Sequence, residues 1–127
     1  MKPLLIALSV ILGLSTISSA QVNEKLLLNK WVDSREEQTN VKGEQIYRPF
    51  NFKDFPPSRF RQVFEFKKNG ECSYLYLHPT DRHTMEPGTW TFNPDKNLIT
   101  IKDAKGKETY LITVIELEKD KLVMIRN

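Results

Sequence analysis

Residues 60–77 read FRQVFEFKKNGECSYLYL, and the fold turns on this stretch. Phe60, Gln62, Phe64 and Phe66 alternate with Arg61, Val63 and Glu65, the period of a strand with one buried face. Lys67-Lys68-Asn69-Gly70 breaks the run, and Glu71–Leu77 resumes an alternating pattern. The segment is a hairpin whose register depends on its turn. Asn69-Gly70 alone makes a two-residue turn, which puts Ser73, Leu75 and Leu77 beside Phe64 and Phe66. Lys68-Asn69-Gly70 makes a three-residue loop with a left-handed Gly70 and a bulge, which puts Cys72, Tyr74 and Tyr76 there instead. The Lys-Lys-Asn-Gly run favours the second. The interior then holds a ring cluster of Phe60, Phe64, Phe66, Tyr74 and Tyr76.

Beyond the hairpin the same period continues. A loop carries His78, Pro79, Asp81, His83 and Pro87, and TWTF (89–92) is a short strand. NPDKN (93–97) turns, and LITIKD (98–103) and ETYLITVIEL (108–117) are strands joined around Gly106. EKD (118–120) turns into KLVMIR (121–126). On the N-terminal side, NEKLLLNK (23–30) reads as a short helical turn or arm that Asn23 can cap, and Trp31–Glu37 as a first strand. Seven or eight short strands with hairpin links make an all-β chain, most simply a small antiparallel up-and-down meander barrel.

The first twenty residues stand apart. Met1-Lys2 is basic, Leu4–Leu14 almost wholly apolar, and Ser18-Ser19-Ala20 small. This is the pattern of a secretory signal peptide (1–20) cut after Ala20, and it implies a secreted or periplasmic protein. The apolar run is too short to span a membrane, and no later stretch could do so. Of 127 residues, 127 less 20 leaves 107 (21–127), one domain's worth. Such a domain buries roughly two thirds of its surface and needs no staple. Cys72 is the only cysteine, so no internal disulfide can form. With Lys2 in the leader, 18 basic residues face 16 acidic ones, scattered along the chain. That balance argues against a nucleic-acid partner.

Between the first strand and Ser58 lie some twenty residues without clear period. A long irregular segment in a small domain is commonly functional. YRPFNFKDFPPSRFR (47–61) holds Tyr47, Phe50, Phe52 and Phe55 among Arg48, Arg59 and Arg61, stiffened by Pro49, Pro56 and Pro57. Two uses fit. As a lid, its rings close one end of the barrel while Arg48 and Arg59 pair with Glu36, Glu37 or Asp54. As a recognition loop, Arg48, Arg59 and Arg61 offer bidentate donors to a carboxylate or phosphate.

Taken together, LLLNKW, FEFKKNGE, PGTW, LITI, YLITVIEL and DKLVMIR resemble the small secreted lipocalin-like (calycin-type) barrels of bacteria, an otherwise uncharacterised group. The likeness covers most of residues 26–126. It implies a ligand-binding barrel, with Trp31 and Arg126 where a first-strand Trp lies under a last-strand Arg. Asn29 stands where the Gly of that motif belongs.

No catalytic set can be assembled. Cys72 has no visible base and reads as a small apolar filler. Glu36 and Glu37, adjacent on a strand, would point to opposite faces. His78, Asp81 and His83 match no recognisable metal site, and no cofactor is implied. An eight-stranded barrel is filled by side chains or holds one small ligand. Phe60, Phe64, Phe66, Tyr74, Tyr76, Trp90, Phe92 and Tyr110 are its inward candidates, with Gln62 placed to satisfy a tyrosine hydroxyl. The expected function is non-catalytic binding of a small apolar or amphiphilic ligand. Tyr74, Tyr76 and Trp90 would supply stacking surface, and Arg48, Arg59 or Arg61 would anchor its polar end. The alternative is a protein-binding module, an inhibitor or envelope assembly factor, that projects its 22–30 arm or 41–58 loop.

Overall fold

The computed structural model describes residues 22–57, 60–77 and 83–127. The expected leader lies outside these, as do Arg59, His78 and Asp81. In chain order the strands are β1 (Lys30–Asp33), β2 (Gln45–Pro49), β3 (Val63–Phe66), β4 (Glu71–Leu77), β5 (His83–Asn93), β6 (Leu98–Asp103), β7 (Glu108–Glu118) and β8 (Lys121–Arg126). They close into one antiparallel barrel, the architecture expected from the alternation.

The β3–β4 hairpin sits in the three-residue register. The Lys67 N–H donates to the Glu71 carbonyl at 2.9 Å, enclosing Lys68–Gly70. Gly70 is left-handed at φ 74°, and Asn69 joins it at φ 69°. Phe64 pairs with Tyr74 and Phe66 with Cys72, so Cys72 and Tyr74 share the inner face with the phenylalanines. Phe60 departs from the expected cluster. It precedes the ladder, is 47% exposed, and packs its ring 4.0 Å from that of His83. Gln62 also differs: its Nε2 donates to the Leu75 carbonyl at 3.1 Å rather than to a tyrosine.

β3 to β8 form a six-stranded meander, and the β1–β2 hairpin closes it in reverse order, β2 beside β8 and β1 beside β3. The link from Pro49 to Val63 must therefore cross over β1. The sequence did not disclose β2, because Ile46, Tyr47 and Pro49 are all buried and hide the period. Tyr47 and Pro49 face in with Trp31. Ile46 is buried on the outer face, where it pairs with Val123.

The first half of β5 was also unforeseen. β6 pairs with β5 only from Gly88 onward, so residues 83–87 are bonded along β4 alone. A proline is tolerated on such an edge, and Pro87 sits there. At Gly88 the backbones crowd: a Cβ there would collide with the Lys102 carbonyl oxygen, and it would lie 3.2 Å from the Tyr74 ring.

The lumen is packed. Trp31, Tyr47, Phe64, Ile99, Ile101, Ile112, Leu122 and Met124 are wholly buried, with Phe66, Cys72, Tyr74, Trp90 and Val114 nearly so. Each large side chain so buried stabilises the fold by about 1.5–3 kcal/mol. One end is plugged. A 3-10 turn, Glu24–Leu27, capped by the Asn23 carboxamide, seats Leu27 fully inside. Trp31 Nε1 fastens it by donating to the Leu27 carbonyl at 3.1 Å. The arm thus folds onto the barrel. The other end, where the chain leaves β1, β4, β6 and β8, is the mouth. No helix among the described residues is long and apolar enough to cross a membrane.

Candidate functional site

The arginine-rich crossover resolves into a clasp. Arg48 alternates outward from Tyr47, and its Nε and Nη2 donate to Glu37 Oε2 and Oε1 at 2.7 and 2.6 Å. Its Nη1 reaches the Asp120 carbonyl at 3.1 Å. Arg61 grips Glu36 in the same way, at 2.6 and 2.9 Å, and also donates to the carbonyls of Asp33 and Pro56. Phe52 lies over the Arg48 guanidinium and Phe55 over that of Arg61, each at 4.9 Å. The two rings meet edge to face at 5.2 Å. Glu36 and Glu37 follow β1 in a turn, which lets neighbouring carboxylates serve different arginines. Hydrogen bonds from Arg48 draw the Glu37 carboxyl down to about 2, and those from Arg61 lower Glu36. Both bidentate forks are spent internally. Tyr47 and Pro49 face into the barrel, Phe52 and Phe55 cover the two ion pairs, and neither arginine presents its fork to a ligand.

The mouth is built differently. Tyr74 and Tyr76 alternate inward along β4. Tyr74 is nearly buried, and Gly88, diagonally across on β5 where it pairs with Cys72, leaves room for its ring. Tyr76, one step nearer the rim, is 43% exposed. Between these rings, Glu86 on β5 and the β6–β7 hairpin lies an open cleft of about 620 Å³. Asp103, Glu108, Lys105 and Lys107 give it charges of both signs. Tyr110 packs edge to face on Tyr74 at 5.4 Å and on Phe64 at 5.1 Å, backing the Tyr74 ring from the barrel side. Burial raises the hydroxyls of Tyr74 and Tyr110, so both stay protonated donors.

Trp90 is placed elsewhere. It lies toward the plugged end, donates Nε1 to the Lys67 carbonyl at 2.9 Å, and packs on Phe66 at 5.0 Å. Its edge lines a separate shallow cleft with Glu24, Lys25 and Leu28. The candidate residues therefore divide: Tyr74 and Tyr76 meet at the mouth, Arg48 and Arg61 belong to the clasp, and Trp90 faces the far end. Arg59 is outside the described residues.

Arg126 also differs from the expectation that the resemblance carried. Trp31 pairs at Pro49 of β2, whereas Met124 already pairs at Gln45, the strand's other end. Arg126 lies beyond that point, at the mouth, and its Nε donates to Gln45 Oε1 at 3.2 Å. Cys72 is buried and its thiol is pushed up to about 11 by desolvation, which suits a filler. Among the described residues no group of three or more His, Cys, Asp or Glu side chains could hold a metal.

The chain matches no family model, no curated protein and no solved structure. What the geometry defines is a small filled barrel, plugged at one end and aromatic and polar at the other.

Proposed function

We propose that this chain is a non-catalytic binding protein that takes a small, partly apolar ligand at the barrel mouth. The open cleft beside Tyr74 and Tyr76 carries the reading. A packed lumen leaves no deep cavity, so the ligand would lie across the rim, stacked on the two rings, with polar groups reaching the charged hairpin. The leader implies that binding takes place outside the cytoplasm. Native mass spectrometry of the chain, purified gently from its own host, tests both points. An extra small mass lost on denaturation, on a chain beginning at Gln21, is the expected result. A chain that retains residues 1–20 would remove the export reading, and a chain that never carries a small mass would remove the ligand.

A second reading rests on Phe50, which is 60% exposed at the plugged end with the Lys30 ammonium 5.7 Å from its ring. An exposed ring of this kind suits a protein partner. A protein-sized extra mass in the same spectrum would favour it.

A further inference from the structure

At the mouth, β5 keeps part of its outer edge unpaired. β6 joins it only from Gly88 onward, so residues 83–87 have a strand on one side alone. The hairpin turn decides which backbone groups face the open side. Successive residues of a strand turn their N–H and C=O groups to opposite edges. The bond from the Lys67 N–H to the Glu71 carbonyl turns Glu71 toward β3. Cys72, Tyr74 and Tyr76 therefore turn toward β5 and bond Gly88, Glu86 and Thr84. His83, Met85 and Pro87 then face outward. Pro87, which has no N–H to give, lies where the β4 ladder needs none. The N–H and C=O groups of His83 and Met85 have no backbone partner among the described residues. The flank is apolar as well. Of the six large apolar side chains exposed among the described residues, three gather here: Met85 on the edge, Tyr76 across the ladder from Thr84, and Phe60 against the His83 ring.

We propose that this edge docks an extended peptide segment of a partner protein, which pairs with His83 and Met85 as an added strand and lays an apolar side chain in the mouth cleft against Tyr76. The inference rests on the mouth being a ligand site and names the class of ligand. Unpaired donors and acceptors at strand spacing match another backbone. The cleft of about 620 Å³ begins beside this edge, at Glu86 and Pro87, so alternate side chains of the added strand point into it. Its far wall is fixed: Asp103 Oδ1 accepts from the Lys105 and Lys107 N–H groups at 2.9 and 3.0 Å and holds the β6–β7 hairpin in shape. The open edge is short, because β6 and that hairpin close it from Gly88 onward. A single narrow segment fits such an edge, whereas a second barrel brought to it would meet the hairpin. Pro87 and the inward Glu86 guard the edge against unselective pairing.

The test is an amide NMR titration of the purified chain with the capped peptide Thr-Val-Tyr-Val-Thr and with the same peptide N-methylated at every residue. The two share side chains, and only the first can donate backbone hydrogen bonds. The proposal expects shifts at His83–Gly88 and a loss of about tenfold or more in affinity on methylation. Met85→Pro removes an outward N–H and no bond of the β4 ladder, so it should fold and lose the peptide. Met85→Ala keeps the backbone donor and should retain it. Equal affinity for the two peptides, or an unimpaired, folded Met85→Pro, would overturn strand addition. So would a dimer of the free chain, seen by sedimentation, that the peptide dissociates, since the edge would then belong to a second copy. Decanoate, titrated alongside as a small apolar probe, reports on the mouth itself. Decanoate shifts at Tyr74–Tyr76 without peptide binding would overturn strand addition and leave the mouth as a ligand site. No response to any of the three probes would remove the ligand reading, and the peptide edge with it.

Discussion

Glu37→Gln should open the clasp and flatten the acid dependence of stability. In the folded chain the Glu37 carboxyl sits at about 2, against 4.5 unperturbed, because the Arg48 fork and the Ser34 hydroxyl bond its charged form. The folded value is the lower one, so as pH falls the unfolded chain takes up the proton first. The stabilisation is complete above about 4.5 and is lost as pH falls toward about 2. A drop of this size caps the effect at about 3.4 kcal/mol, at 1.36 kcal/mol per pKa unit. The carboxylate is 35% exposed, and solvent screening brings the expected figure to about 1–1.5 kcal/mol. Asp33 works the opposite way: burial raises its carboxyl, so acidification favours the folded state through it. Comparing variant with parent cancels that contribution. The assay is urea unfolding at pH 7 and pH 2.5 for the parent, Glu37→Gln, Arg48→Gln and the double variant. The parent should lose about 1–1.5 kcal/mol more on acidification than Glu37→Gln, with coupling of that size to Arg48 at pH 7. If Glu37→Gln changed neither stability nor its acid dependence, the clasp would be idle and Arg48 would again be available to a ligand.

Gly88→Ala should destabilise by about 2 kcal/mol or more, seen as a lower urea midpoint, because the new methyl strikes the Lys102 carbonyl and parts β5 from β6. Leu27→Ala should cost about 2–5 kcal/mol and loosen the plugged end, measured by thermal unfolding together with faster amide exchange at Trp31. Cys72, buried and shifted to about 11, should react very slowly with a disulfide reagent at pH 8 and at once in urea.

The barrel was readable because most of its strands alternate cleanly, and because Lys-Lys-Asn-Gly admits one preferred register. β2 escaped because burial on both faces of Ile46 and Tyr47 erases a period of two. The start of β5 escaped because Pro87 and Gly88 carry the punctuation of a loop, and only the absence of β6 alongside makes a strand with proline tolerable. Rings and guanidinium groups in the 47–61 stretch fit a binding loop and a clasp equally well. Their partners, Glu36 and Glu37, lie 25 and 11 residues away: the β1–β2 hairpin brings Glu37 to Arg48, and the crossover over β1 brings Arg61 to Glu36. Tyr74 and Tyr76 were legible as inward rings, whereas Tyr47 showed only as one ring of the irregular stretch and Arg126 was expected over Trp31 rather than at the mouth. A ring's place in the lumen and an arginine's position at the rim are properties of the closed barrel.

The most direct measurement is a backbone amide NMR titration of the labelled chain with decanoate. Shifts should concentrate at Tyr74–Tyr76, Glu86, Gly88 and Asp103–Tyr110, in and beside the walls of the mouth. Shifts centred on Leu28–Lys30 and Phe50, or none at saturating ligand, would contradict this placement.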